Sequence, residues 1–158
     1  VRVTADDIFR EIKKLDEAIL IHKKNNIDIT VMKNLPFGLA SEIFNLNVLK
    51  IIEKKRQKNT DSSYLSWFID RKKFKVYDFD CKCNNYDNIL LTLDYKIDLK
   101  IMRFIHKNLG TYFDVDQLIK FYRKNKRKFK SLKNLRDKIE SEFEVSHHPQ
   151  KKYYRLVN

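Results

Sequence analysis

Apolar residues recur along the chain at two spacings, one typical of strands and the other typical of helices. Short runs that are continuously apolar, or that alternate between apolar and polar residues, predict strands. Stretches with apolar residues three and four positions apart predict amphipathic helices. On this basis the strands are predicted at residues 1–4, 28–32, 42–45, 74–80 and 89–93.

The predicted helices alternate with these strands, and several have recognisable ends. Three are predicted at residues 11–24, 47–58 and 62–70. A fourth begins near Ile97 and ends at a glycine C-cap, Gly110, and a fifth follows a capping-box pair formed by Asp114 and Gln117. A last helix is predicted from an apolar stripe made of Leu132, Leu135, Ile139 and Phe143.

Strands that alternate with helices predict an α/β layer fold with a partly parallel sheet. In such sheets ligands bind beyond the carboxyl ends of the strands. Asp6 follows the first predicted strand and Asp94 follows the buried strand at residues 89–93. Two carboxylates placed in this way could share one Mg²⁺ together with substrate phosphates. The competing interpretation is that both are turn or helix-capping residues, which are common after strands.

Composition narrows the class of protein. A chain of 158 residues has the size of one domain, and it contains no apolar run long enough to span a bilayer. Cys81 and Cys83 stand one residue apart, which suits neither a disulfide framework nor a zinc knuckle and indicates reduced thiols and a cytoplasmic protein. The net charge of +13 attracts polyanions. Abundant Lys, Asn and Ile, with two Gly and two Pro, also indicate compositional drift.

Four segments resemble, in order, the motifs of spore-coat-polysaccharide-type and acylneuraminate-type cytidylyltransferases. Residues 1–6, VRVTAD, are similar to the family's RVTGD segment. Residues 35–44, LPFGLASEIF, resemble LPxGLxxEVF, and residues 91–99, LTLDYKIDL, resemble LTVDxPEDL. Residues 109–121 resemble the closing helices of the family. Together these segments cover about residues 1–125 of the chain.

The resemblance implies an N-terminally truncated, three-layer α/β domain of the nucleotide-diphospho-sugar-transferase type. Residues 1–125 would form the C-terminal portion of that domain, and residues 126–158 a basic helical extension. The implied activity is transfer of a nucleotidyl group from CTP to a sugar or sugar acid, with release of pyrophosphate, in polysaccharide or glycan biosynthesis.

The resemblance also implies roles for particular residues. By position in the motifs, Asp6 and Asp94 would be the catalytic pair that holds Mg²⁺. Gly38 and Glu42 would lie on the sugar side of the site and bind the substrate, and Arg2 would be a supporting residue on the cofactor-binding side. Asp98 would be a supporting residue that caps its helix.

The chain departs from the family pattern at several positions. The family's phosphate-binding loop lies upstream of the RVTGD segment, and because the chain opens inside that segment we expect it to be a piece of a longer protein. Ile8 replaces a proline, and Lys96 and Ile97 replace the Pro-Glu pair that follows the second Asp. An inactive relative of the same fold is therefore an alternative. It would serve as an interaction domain or pair as a homodimer.

A nucleic-acid-binding module is the other alternative. Residues 123–130 carry six basic side chains close to Phe121, Tyr122 and Phe129, and basic grooves with aromatic platforms suit single strands. A solvated charge run is the commoner explanation of such a segment.

Overall fold

The computed structural model describes residues 1–55, 65, 69–83, 86 and 89–147. Within these residues the chain forms five helices and three strands, which alternate over the first half and end in a run of helices. The strands are β1 (Ile29–Lys33), β2 (Glu42–Phe44) and β3 (Val76–Asp80). The helices are α1 (Ile12–Lys24), α2 (Leu46–Lys55), α3 (Asp98–Leu109), α4 (Val115–Lys124) and α5 (Lys126–His147).

The three strands form one mixed sheet in the order β2-β1-β3. β1 pairs antiparallel with β2 and parallel with β3, which confirms the predicted partly parallel sheet. The parallel pair runs in register from Ile29 opposite Val76 to Lys33 opposite Asp80. The carboxyl ends of both strands therefore lie side by side, where Asn34 Nδ2 donates to Asp80 Oδ1 at 2.7 Å.

Side chains of β1 alternate between two faces that helices cover. Ile29 is fully buried and packs with Val48 and Ile52 of α2. On the opposite face, the buried Thr30 hydroxyl lies 2.9 Å from Nδ1 of His22 on α1. Helices thus contact both faces of this small sheet. The larger three-layer domain implied by the resemblance stays a prediction.

The main hydrophobic core lies where the last three helices meet α1 and the 89–91 segment. Ile101 and Ile105 of α3 and Leu118 of α4 are almost completely buried in it. Phe129 of α5 is 1% exposed and packs edge-on against Tyr122, with 5.3 Å between ring centroids. Burial of a phenylalanine contributes roughly 2 kcal/mol. The first part of α5 is thus docked on α3 and α4.

The predicted ends of α3 and α4 are confirmed. α3 ends at Gly110, which has a positive φ and donates its backbone N–H to the carbonyl of His106. At the start of α4, the Asp114 carboxylate accepts from the Gln117 backbone while the Gln117 side chain accepts from the Asp114 backbone. Two otherwise unsatisfied donors at the helix N-terminus are thereby paired.

Two segments that were predicted as strands make only isolated bridges. Residues 1–4 make one isolated antiparallel bridge, Arg2 with Glu42, and residues 89–93 make one isolated parallel bridge, Leu90 with Phe37. The first segment meets only the first residue of β2 and the second meets only the loop that contains Phe37, so neither pairing extends into a ladder. The predicted helix at residues 62–70 falls largely outside the described residues.

The apolar stripe predicted for the last helix is also only partly right. Leu132 packs against the core, but Leu135 is 48% exposed. The position that turns inward one residue later belongs to Arg136, which is buried. The inward face of α5 therefore contains a cation, and the carboxylates that accept it are described below.

Among the described residues, no helix combines the length and the apolar character needed to cross a bilayer.

Gly38 is predicted to be the less replaceable of the chain's two glycines. Both have positive φ, 91° and 77°, so alanine at either position costs about 1–3 kcal/mol in backbone strain. A Cβ on Gly38 would also lie 2.4 Å from the backbone carbonyl carbon of Leu91, whereas a Cβ on Gly110 meets nothing within 4 Å. Relieving that overlap costs about 2 kcal/mol more.

Urea unfolding of Gly38→Ala and Gly110→Ala tests this difference. We expect Gly38→Ala to lose clearly more free energy of unfolding than Gly110→Ala. Equal losses would contradict the close approach of the two backbones.

Candidate active site

Three segments that are distant in sequence converge at one edge of the molecule. They are the turn at residues 4–7, the loop at residues 35–39 and the extended segment at residues 90–94. The Leu93 N–H donates to the Asp6 carbonyl at 2.9 Å, and the Leu91 N–H donates to the Phe37 carbonyl at 2.8 Å. These two backbone bonds place the Asp6 turn and the Gly38 loop on the same short stretch of chain.

Asp6 and Asp94 both lie near the hydroxyl of one threonine. Thr92 Oγ1 lies 3.5 Å from Asp6 Oδ2 and 3.3 Å from Asp94 Oδ1. Thr92 itself is 2% exposed, whereas both aspartates are exposed to solvent. The arrangement is two accessible carboxylates above a buried hydroxyl. Their proximity agrees with the pairing expected from the sequence, and their role as metal ligands stays a prediction.

The surroundings of Asp6 favour its charged form. Hydrogen bonding from the Thr4 side chain lowers the pKa of the Asp6 carboxyl, partial burial opposes this, and Thr92 lowers the pKa further. A neighbouring contact organises the same turn, because the Thr4 hydroxyl donates to Asp7 Oδ2 at 2.7 Å. Asp6 is therefore ionised at neutral pH and available to a cation.

Asp94 is held from the other side by Arg136 of α5. Arg136 Nη2 lies 2.7 Å from Asp94 Oδ2, so the oxygen left toward Thr92 is Oδ1. The same guanidinium donates from Nε to Asp98 Oδ1 at 3.0 Å and from Nη1 to Glu140 Oε2 at 2.9 Å. Burial disfavours this cation, but the charges of Asp98, Glu140 and Asp94 outweigh burial and raise the pKa of Arg136.

Asp98 does not cap its own helix as predicted. The N-cap position is Ile97, and no side chain caps that end of α3. Asp98 Oδ2 instead accepts from the backbone N–H groups of Asp94 and Tyr95, at 3.0 and 2.8 Å. The side chain is 1% exposed, so its charge is balanced inside the protein by Arg136. Asp98 therefore fixes the backbone that carries Asp94.

Arg10 connects the Asp6 turn to the Gly38 loop. Its Nη1 donates to the carbonyls of Phe9 and Gly38, at 2.6 and 3.0 Å, and its Nη2 donates to the Thr4 carbonyl at 3.0 Å. Burial lowers the pKa of Arg10, while Asp7 and Asp6 act in the opposite direction. Arg10 thus bonds the Gly38 loop to the turn that carries Asp6.

Arg2 and Glu42 form a second pair beside this group. Their backbones share the isolated bridge, with the Arg2 N–H donating to the Glu42 carbonyl at 2.7 Å. Their side chains form an ion pair at 2.8 Å that is about a quarter exposed. The predicted cofactor-binding and substrate-binding residues therefore contact each other, and Glu42 presents a carboxylate already paired with a cation.

The two carboxylates offer the donor atoms that a magnesium ion takes. Within the described residues, no group of three or more His, Cys, Asp or Glu side chains could hold a metal ion. Two exposed carboxylates with hard oxygen donors match the way Mg²⁺ binds, through one or two carboxylates plus water and substrate phosphates. Asp6 and Asp94 therefore fit that ion.

Both cysteines are free, as the sequence predicted. Cys81 and Cys83 are buried after β3, and burial raises the pKa of the Cys81 thiol to about 12. A neutral, buried thiol is a poor nucleophile and a poor metal ligand. The cysteines therefore belong to the core.

The aromatic residues near the basic segment are not surface platforms. Phe129 and Tyr122 are buried, and Phe121 packs against the same core. The six cations around them are exposed, but a base could not stack on these rings without opening the core. The basic segment remains a charged surface, and its aromatic neighbours give no support to single-strand binding.

An open cavity of about 580 Å³ lies between α1 and β2, and its lining includes Val1 and Ile43, the chain neighbours of Arg2 and Glu42. It is lined mainly by apolar side chains, with His22 and Lys23 from α1. None of Asp6, Gly38 or Asp94 borders it. The candidate site is thus a surface edge rather than this cavity.

Thr92, Arg10 and Arg136 are the site residues that sequence reasoning missed. Thr92 stands two residues before Asp94 in the LTLD segment, so its position could have marked it. Arg10 and Arg136 carry no comparable signal, because they are two among 34 Lys and Arg residues.

Comparison with known proteins supports the fold. No protein-family model matches the chain. An uncharacterized protein from Methanocaldococcus jannaschii is 28% identical over 148 residues, which cover 91% of this chain and 61% of that protein. The solved structure of a cytidylyltransferase from Leptospira borgpetersenii superposes with a TM-score of 0.64 at 20% identity, covering 73% of this chain and 51% of the other.

The structural match shows a nucleotidyltransferase-like fold. The chain spans about three fifths of the length of the archaeal relative and half of the cytidylyltransferase chain.

Removing the Thr92 hydroxyl is predicted to loosen the carboxylate pair. Thr92→Val keeps the shape but removes the single O–H donor that lies within reach of either carboxylate, at a cost of about 1 kcal/mol in the free energy of unfolding. The matched control is Thr111→Val, whose hydroxyl lies beside exposed His106 and whose loss costs less than about 0.5 kcal/mol. Urea unfolding of both variants measures the difference, and a neutral Thr92→Val would contradict the bridging role.

Proposed function

We propose that the chain is the C-terminal part of a nucleotidyltransferase that activates a sugar or sugar acid with CTP and releases pyrophosphate. The observation that carries the proposal is the approach of Asp6 and Asp94 to one buried hydroxyl, that of Thr92. The nucleotidyltransferase-like fold supports it, since the solved neighbour is a cytidylyltransferase. CTP, the sugar and the biosynthetic pathway belong to the proposal and come from the resemblance of the motifs.

Asp6 and Asp94 would hold Mg²⁺ in this proposal. When bound, Mg²⁺ neutralises charge on the triphosphate and on the in-line transition state at the α-phosphate. Asp6 is charged at neutral pH, and its lowered pKa, due first to hydrogen bonding from Thr4, favours this form further. Asp94 would contribute Oδ1, because its other oxygen is already bonded to Arg136.

The other site residues would position the substrate relative to Asp6 and Asp94. The Gly38 loop lies against the 91–92 backbone and is tied to the Thr4 carbonyl through Arg10, so the proposed sugar side and metal side are bonded to each other. Glu42 would face the sugar hydroxyls, with Arg2 holding its orientation. Correct orientation of the reacting groups supplies much of the rate gain in transfer reactions of this kind.

The assay uses the natural full-length protein, because the matched proteins extend beyond the region that this chain covers. Pyrophosphate release from CTP is measured with Mg²⁺ and a panel of sugar acids. We expect Asp6→Asn and Asp94→Asn each to lower kcat/KM by about 100-fold or more, because charge stabilisation by a metal is worth several kcal/mol. The matched control is Asp16→Asn, an exposed carboxylate on α1.

Three outcomes separate the proposal from its alternatives. Loss of activity in both site variants, with normal thermal unfolding and an active Asp16→Asn, supports the transferase. A folded parent that releases no pyrophosphate with any sugar acid points to an interaction domain of the same fold. Binding to single-stranded nucleic acid that weakens steeply with salt, through the exposed cations of residues 123–130, would favour the nucleic-acid alternative.

A further inference from the structure

Arg136 joins three carboxylates that come from three places in the chain. Asp94 follows the extended segment, Asp98 opens α3, and Glu140 lies one turn further along α5. The Arg136 side chain is 8% exposed and Asp98 is 1% exposed, so their contact forms out of water, whereas Asp94 and Glu140 accept from Arg136 at the surface. Its guanidinium also lies 5.1 Å from the centre of the Tyr95 ring. The planar fork of arginine can make such simultaneous contacts, whereas lysine presents a single point charge.

Both the side chain and the backbone of Asp94 depend on this guanidinium. Nη2 binds Asp94 Oδ2 directly, which fixes the rotation of the carboxylate and turns Oδ1 toward Thr92. Nε binds Asp98 Oδ1, and the other oxygen of Asp98 accepts from the Asp94 N–H. One residue of α5 therefore sets the orientation of Asp94 through two routes.

We propose that Arg136 is a positioning residue for the metal ligand Asp94, and that α5 is therefore a working part of the active site rather than an appended extension. This inference rests on the proposed function, because it takes Asp6 and Asp94 as the ligands of the divalent cation. Groups that orient metal ligands typically change metal affinity by 10- to 100-fold when they are replaced.

The alternative roles of Arg136 predict different results. A cation beside a ligand repels a metal ion, so an electrostatic role alone predicts unchanged affinity when the charge is kept and higher affinity when it is removed. If Arg136 acts only through stability, any substitution that destabilises these ion pairs to the same extent should weaken metal binding to the same extent. A positioning role predicts weaker metal binding when the charge stays but the fork is lost.

The test is Mn²⁺ binding to the natural full-length protein, followed by the electron paramagnetic resonance signal of the free ion. Arg136→Lys keeps the charge and removes the fork, and we expect it to weaken Mn²⁺ binding by about ten-fold. The matched control is Arg127→Lys, the same change at an exposed position of α5, which should bind as the parent does. Glu140→Gln loosens the network without touching Asp94 and should also bind as the parent does.

Two results would overturn the inference. One is parental or tighter Mn²⁺ binding by Arg136→Lys. The other is an equal loss of Mn²⁺ affinity in Glu140→Gln at the same loss of thermal stability, since this would assign Arg136 a purely structural role.

Asp6→Asn and Asp94→Asn distinguish failure of this inference from failure of the proposed function. If they abolish binding while Arg136→Lys does not weaken it, the metal pair stands and only the inference falls. If they bind as the parent does, the metal pair itself falls.

Discussion

The close approach of the Gly38 loop to the backbone at residues 91–92 is the constraint on which the candidate site depends. A Cβ at Gly38 would lie 2.4 Å from the Leu91 carbonyl carbon, so only glycine permits this contact. The approach allows the Leu91 N–H to reach the Phe37 carbonyl, and it places Thr92 beside the loop. Arg10 then ties the Asp6 turn to Gly38. The two exposed carboxylates meet because three loops are bonded to one another, not because two strands end side by side.

The sequence predicted the elements that depend on local rules. The amphipathic spacing of α1, the glycine C-cap at Gly110 and the Asp114–Gln117 capping box are encoded within a few residues, and all three are confirmed. Predictions that required long-range pairing were less accurate. Residues 89–93 have the composition of a buried strand, but they find a loop rather than a strand as their partner. The spacing of apolar residues indicates which side chains are buried, but it does not indicate which backbone segment pairs with them.

The candidate site also divides into residues that a local motif identifies and residues that only long-range contacts identify. Asp6 and Asp94 could be paired from their motifs, because each stands at a recognisable position in a short segment. Arg136 could not, since it is separated from Asp94 by 42 positions and resembles every other cation on a basic helix. Its burial follows from α5 docking through Phe129 onto α4, which sets the side of the helix that faces inward. A polar residue on an apolar stripe becomes informative only when its partners are known.

The central claim is that Asp6 and Asp94 form one binding site for a divalent cation that accompanies a nucleotide. A crystal structure of the natural full-length protein grown with Mn²⁺ and CTP would test it most directly, through the anomalous signal of manganese. The account predicts one anomalous peak within bonding distance of Asp94 Oδ1 and an Asp6 carboxylate oxygen, with Arg136 still on Asp94 Oδ2. A bound nucleotide whose manganese lies elsewhere, or an Asp94 turned away from Thr92, would contradict it.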